Sequence, residues 1–132
     1  TYASRASNVF ALATGLRPAE HALHFDAEGL SFELSPLQIL APGPGHTYDN
    51  IVVALPAQRL VFGGCLIRPP GATSLGNTAD ASLSHWDRAV LAVAQHFPWA
   101  QVVVPSHGPP AGWELLDQTV QLVWAARSKA ER

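Results

Sequence analysis

Apolar residues recur along this chain at two periods, and the period changes several times. Trp86, Ala89, Val90, Val93, Ala94 and Phe97 step by three, one, three, one and three, which puts all six on one face of a helix. Ser82 or Ser84 is expected to cap that helix and Pro98 to end it. Leu116, Val120, Val123 and Trp124 predict a last amphipathic helix. Val9, Phe10 and Ala13 predict a short first one, capped by Ser4 or Ser7 and stopped at Gly15. Between these helices the period shortens. Leu30, Phe32 and Leu34 alternate with Ser31 and Glu33, and Leu37-Gln38-Ile39-Leu40 runs on towards a Pro/Gly-rich loop at 42–45. Ile51 to Leu55 and Leu60 to Phe62 flank a turn at Pro56–Arg59, which predicts a hairpin. Gln101 to Val104 reads as one more short strand, and Pro69 to Ala79 as a loop. The near-continuous apolarity of these strands predicts cover on both faces.

Strands alternating with helices point to an α/β layered fold. The strands need partners, and cover on both faces asks for more structure than the chain clearly supplies. A half-domain and a small whole domain both fit that pattern. Composition narrows the picture only a little. With 132 residues, 48% of them hydrophobic and 14% charged, the balance is that of a core-forming chain. The net charge is −2 and Lys129 is the one lysine, so no basic stripe exists for a nucleic acid to grip. No apolar run reaches the roughly eighteen residues of a membrane span. The opening Thr1-Tyr2-Ala3-Ser4 has no signal-peptide pattern, as mature or trimmed chains also do not. There is no internal repeat.

Candidate chemistry gathers where strands end. His46 follows Pro42-Gly43-Pro44-Gly45. Cys65 follows Phe62-Gly63-Gly64, at the end of the hairpin. His107 follows Val102-Val103-Val104-Pro105-Ser106 and precedes Gly108. Loops at strand ends are where α/β folds build sites. Imidazole and thiolate are the donors zinc prefers. Cys65 is the single cysteine, so it builds no disulfide framework and is a core thiol, a nucleophile or a metal ligand. Taken singly, each His also fits a satisfied polar residue and the Cys an inert small hydrophobe. His21-Ala22-Leu23-His24-Phe25-Asp26 has the spacing H-x-x-H-x-D and is expected to be exposed polar sequence near a turn. His85 and His96 are expected at the surface of the helix that carries them.

Longer words around the three residues carry a resemblance. Gly43-Pro44-Gly45-His46-Thr47-Tyr48-Asp49-Asn50 resembles the G-x-G-H-T-x-D-N segment of metallo-β-lactamases. Phe62-Gly63-Gly64-Cys65-Leu66-Ile67-Arg68 resembles their F-G-G-C-L-[VI]-K/R segment. Leu75-Gly76-Asn77-Thr78-Ala79-Asp80-Ala81 is similar to L-G-N-x-x-D-A, and Val103-Val104-Pro105-Ser106-His107-Gly108 to V-V-P-G-H-G. Thr1-Tyr2-Ala3-Ser4 and Leu115-Leu116-Asp117-Gln118-Thr119 fall in the family's order. The resemblance covers nearly the whole chain, and the cysteine points to the two-zinc subclass that pairs a His-His-His site with an Asp-Cys-His site.

The resemblance implies the C-terminal half of the αββα metallo-β-lactamase sandwich over 1–132, with the N-terminal half absent. It implies two zinc ions per complete enzyme, with His46 on the first and Cys65 and His107 on the second. The implied reaction is attack of a zinc-bound hydroxide on the β-lactam ring amide, with antibiotic resistance and carbapenem hydrolysis as expected consequences. It also implies that Arg68, where the family usually has Lys, pairs with the substrate carboxylate. Asn77 would help bind the lactam carbonyl or carboxylate. Asp49 would hold the His46 loop. Ser106, at a position commonly Gly, would hydrogen-bond near Cys65 or His107. The family's remaining ligands come from an H-x-H-x-D motif upstream of the Tyr2-Ala3-Ser4 segment, and this sequence holds none. The chain alone is therefore expected to bind zinc weakly and to hydrolyse nothing. A fragment of a longer protein is the favoured explanation, ahead of a split enzyme or a degenerate relative. The expected partners are β-lactam antibiotics and the N-terminal half, with no nucleic acid or membrane. The complete protein is expected to be a monomer in the Gram-negative periplasm. Two other functions stay open: a thioester or ester hydrolase of the same fold, and a non-catalytic zinc-binding fragment.

Overall fold

The computed structural model describes residues 1–25, 32–34 and 36–130. Strand β1 (Tyr2–Ser4) leads into helix α1 (Arg5–Ala13) and returns through β2 (His21–Leu23). β1 and β2 pair in parallel as a separate two-stranded sheet. Ser4 supplies the N-cap, with its hydroxyl accepting from the Ser7 N–H at 3.0 Å. Gly15 follows the helix with φ of +75°, the left-handed stop expected there.

Five further strands, β3 (Phe32–Leu34), β4 (Leu37–Leu40), β5 (Val52–Leu55), β6 (Leu60–Gly64) and β7 (Val102–Pro105), form one sheet in that spatial order. β3 to β6 are an antiparallel meander. Helix α2 (Trp86–His96) carries the chain across to β7, which runs parallel to β6. Helix α3 (Glu114–Ala130) closes the described chain. Of the expected strand at 30–34, Leu30 and Ser31 lie outside the described residues.

Side chains alternate across a strand, so the registers sort the sheet into two faces. Val61 stands opposite Ala54 and Val103. All three are buried, with Val52 and Leu40, against Trp86, Ala89, Val90 and Val93 of α2 and Leu116, Val120 and Val123 of α3. On the other face Val53 stands opposite Phe62, and Phe62 opposite Val104. Val53, Leu55, Leu60 and Val104 are only half-buried there, and Phe62 is 44% exposed. The expectation of cover on both faces is corrected: α2 and α3 cover one face of the described sheet. An apolar strand records what its face finally touches, not which part of the sequence supplies the cover.

The cap of α2 also differs from expectation. His85 occupies the N-cap position, without a side-chain capping bond. The Ser82 and Ser84 hydroxyls each lie 2.9 Å from His85 Nδ1 instead. The Ser82 carbonyl accepts the N–H groups of His85 and Trp86, so backbone does the work expected of a hydroxyl.

Candidate metal centre

Topology brings the candidate loops to one edge of the sheet. β6 and β7 are parallel neighbours, so the segments after Gly64 and after Pro105 leave side by side. β4 and β5 are antiparallel to each other and β5 to β6, so the 41–51 loop between β4 and β5 turns at that same edge.

Cys65 and His107 meet there, with Cys65 Sγ 3.7 Å from His107 Nε2. The glycines before Cys65 account for its position. The ladder to β7 shifts register between Phe62 and Gly64, a bulge, and Gly64 sits at φ of +57°. A Cβ on Gly63 would overlap Ile67. Helix α3 then braces the outgoing segment. The Arg68 N–H donates to the Thr119 hydroxyl at 2.9 Å, and Thr119 donates onward to the Leu115 carbonyl at 2.7 Å. Gln118 Nε2 donates to the Pro69 carbonyl at 2.7 Å.

The His46 loop is stapled by Asn50. Its Oδ1 accepts the Thr47 N–H at 3.0 Å, and its Nδ2 donates to the Gly43 and Thr47 carbonyls at 3.0 and 2.6 Å. Asp49 accepts a hydrogen bond from Ser7, tying the loop to α1. The His46 ring meets Trp86 edge-on, with centroids 5.5 Å apart. His46 Nδ1 is buried and has no hydrogen-bond partner among the described residues. Burial lowers the pKa of His46, the Arg68 cation and His107 lower it further, and Asp80 opposes them. That direction favours the neutral ring, the form in which imidazole binds metal.

The remaining expected residues line this edge without closing on it. Arg68 donates through Nε to the Ser74 carbonyl at 3.2 Å, and its guanidinium lies against Gly76. Asn77 is exposed, and its Oδ1 accepts the Ala79 N–H at 3.0 Å. Ser106 donates its N–H to the Gly64 carbonyl at 3.2 Å, and its hydroxyl faces Gly64.

A tetrahedral zinc bound by one thiolate and one imidazole holds those two atoms about 3.6 Å apart. The gap between Cys65 and His107 therefore admits the ion. Among the described residues, no three His, Cys, Asp or Glu side chains gather at one point. His46 feels the charge of His107 but does not join the Cys65–His107 pair. His21 and His24 are exposed and lie on β2 and just after it; His24 lines a cavity with Gly43, Tyr48, Asp49 and Asn50 of the 41–51 loop, and Asp26 lies outside the described residues.

Sequence reasoning missed Asn50, Thr119, Gln118 and the contact of the Trp86 ring with His46. One signal was available: Thr119 falls at helical spacing between Leu116 and Val123, a polar residue in an apolar stripe, and it is fully buried.

No family model matches the chain. It is 40% identical over 123 residues to a type 2 metallo-beta-lactamase of Bacteroides fragilis, covering 93% of this chain and 49% of that protein. A type 2 metallo-beta-lactamase of Pseudomonas aeruginosa is 34% identical over 119 residues, 90% of this chain and 46% of that protein. Among solved structures, the metallo-β-lactamase FIM-1 from Pseudomonas aeruginosa, in its mono-zinc form, superposes with a TM-score of 0.89 at 63% identity over 96% of this chain and 56% of that one. A metallo-β-lactamase from Hirschia baltica gives 0.88 at 46% identity, over 93% and 56%. The chain thus spans about half the length of the relatives it matches. It belongs to the metallo-β-lactamase family, and its fold is consistent with the C-terminal half of theirs.

Proposed function

We propose that residues 1–132 are the C-terminal half of one metallo-β-lactamase domain, and that the complete protein hydrolyses the ring amide of β-lactam antibiotics and so confers resistance to them. The observation that carries this reading is the Cys65–His107 pair, 3.7 Å apart at the sheet edge where the 41–51 loop with His46 also turns. Cys65 and His107 are two of the three protein donors for one zinc, and His46 is one of three for another. Zinc, when bound, supplies a Lewis acid for the lactam carbonyl and an acidified water as nucleophile.

The chain's own residues bind and orient. Arg68, anchored through Nε to Ser74, keeps the rest of its guanidinium for a substrate carboxylate. Asn77 has Oδ1 engaged by Ala79, which leaves its amide N–H groups to donate to the substrate. Asp49 holds the His46 loop through Ser7, and the Ser106 hydroxyl tunes the surroundings of Cys65 from beside Gly64. The Gram-negative periplasm and a monomeric state are part of the same proposal. Among the described residues no helix is long and apolar enough to cross a membrane.

Zinc titration and nitrocefin turnover, run on this chain and on the full-length protein that carries it, test the reading. The full-length protein is expected to take up zinc and turn over nitrocefin. The isolated chain is expected to bind zinc weakly and turn over nothing. Robust turnover by the isolated chain would overturn the half-domain reading, and a full-length protein without turnover would overturn the lactamase reading.

A further inference from the structure

We propose that Trp86 is a positioning residue that sets the spacing between the His46 loop and the Cys65 loop. The inference rests on the metal-site reading above. Trp86 is fully buried, as expected of a core aromatic. It also touches both loops at once. Its ring meets the ring of His46 edge-on at 5.5 Å. Its Nε1–H donates to the Leu66 carbonyl at 2.8 Å, one residue after Cys65. Gly45, Leu66 and Trp86 interlock beneath these contacts: a Cβ on Gly45 would overlap Leu66 Cδ1 and lie 3.4 Å from Trp86 Cδ1. The Ser82 N–H, four residues before Trp86, donates to the Gly45 carbonyl at 2.8 Å. The entrance turn of α2 therefore grips the His46 loop by one backbone bond and one ring contact, and the Cys65 loop by one indole bond.

That turn is itself fixed. Asp87 accepts from Arg127, and from Trp124 Nε1 at 3.0 Å, both on α3. Arg127 Nε donates to the Leu83 carbonyl. Neither loop can shift against the other without breaking a contact to this bolted turn. A plain core residue fills volume; the geometry of Trp86 additionally fixes the distance between two sets of metal donors.

The test uses the full-length protein that carries this chain. Trp86→Phe keeps an aromatic ring and removes the donor to Leu66. Its zinc affinity, measured by chelator competition, is expected to fall about 10- to 100-fold. The thiolate-to-cobalt absorption of the Co(II)-substituted protein is expected to weaken or shift. Phe97→Leu is the control: Phe97 is equally buried in the same core, and its ring meets His96 and Trp99 instead of either loop. It is expected to lower the melting temperature and leave affinity and cobalt spectrum unchanged. Ser82→Pro removes the second grip from outside the core, so that a Trp86 variant too unstable to assay leaves the question answerable; it is expected to lower zinc affinity. A Trp86→Phe or Ser82→Pro protein matching the parent in affinity and spectrum would overturn the positioning role. So would a Phe97→Leu protein as impaired as Trp86→Phe. A parent that takes up no zinc would overturn the metal-site reading itself, and the positioning role with it.

Discussion

Gly45 has no room for a side chain, because Leu66, Asn50 and Trp86 crowd it. A Cβ there would run into Leu66 Cδ1, and Leu66 directly follows Cys65. Gly45→Ala is therefore expected to cost about 1–3 kcal/mol, the range for overpacking a filled core. A lower urea midpoint at an unchanged m-value would show it; an unchanged midpoint would mean that the two loops do not touch. Cys65 makes the contrasting case. Its Sγ pairs with His107 alone among the described contacts, and the residue is only half-buried. Cys65→Ser should leave stability within about 0.5 kcal/mol. A serine hydroxyl, unlike a thiol, does not become an anionic soft donor near neutral pH. Zinc bound per full-length protein is expected to drop by one ion, measured by elemental analysis after dialysis. Parent-level zinc in the variant would remove Cys65 from the site.

The elements were legible to different degrees, for physical reasons. α2 and α3 carry a continuous apolar stripe, so the 3.6-residue period gives both helices, and the β5–β6 hairpin follows from two apolar runs around Pro56. β1 and β2 have three residues each, too few to show a period, and their parallel pairing joins residues nineteen apart (Tyr2 with His21). The ion pair that joins α2 to α3 had no local signature either. Asp87 and Arg127 are forty residues apart, and Asp87 reads as an ordinary first-turn acid. In the structure it is buried, and hydrogen bonds from Arg127, with smaller contributions from Trp124 and Arg88, lower its pKa from 3.8 to about 2 against the opposing effect of burial. A depressed carboxylate stabilises the fold above its unfolded pKa and loses that contribution as pH falls through the folded one. By linkage the window lies between about pH 5 and pH 2, and the contribution is about 2 kcal/mol. Urea unfolding across that window is expected to show the loss in the parent. Asp87→Asn is expected to be less stable at neutral pH and to show a flatter pH dependence. An equally steep slope in the variant would assign the effect to other carboxylates.

At the scale of the whole molecule, the described chain covers its apolar surface unevenly. Helix α1 buries none of its residues, and Val9, Phe10 and Leu12 are 60%, 68% and 65% exposed. Phe10 and Ala6 line, with Tyr48, Asp49 and Asp80, a cavity of about 430 Å³ beside the His46 loop. The outer sheet face carries Phe62, Val53, Leu60 and Val104 with no helix of the described chain over it. The near-continuous apolarity of the strands predicted cover here that the described chain does not supply, and the half-length match to relatives is consistent with cover from a partner half. Phe62→Lys separates the two situations. In the isolated chain Phe62 is already 44% exposed, so a lysine there keeps its ammonium in water and the stability should change by no more than about 0.5 kcal/mol. In the full-length protein, on the proposed half-domain reading, the same lysine is pressed between two sheets. An unpaired charge taken out of water costs several kcal/mol, enough to exhaust the stability of an ordinary domain. Urea midpoints for parent and variant, at both chain lengths, should therefore diverge: nearly equal in the short chain, and collapsed for the variant in the long one. Equal tolerance at both lengths would mean that nothing covers the face of β6, and the half-domain reading would fail with it.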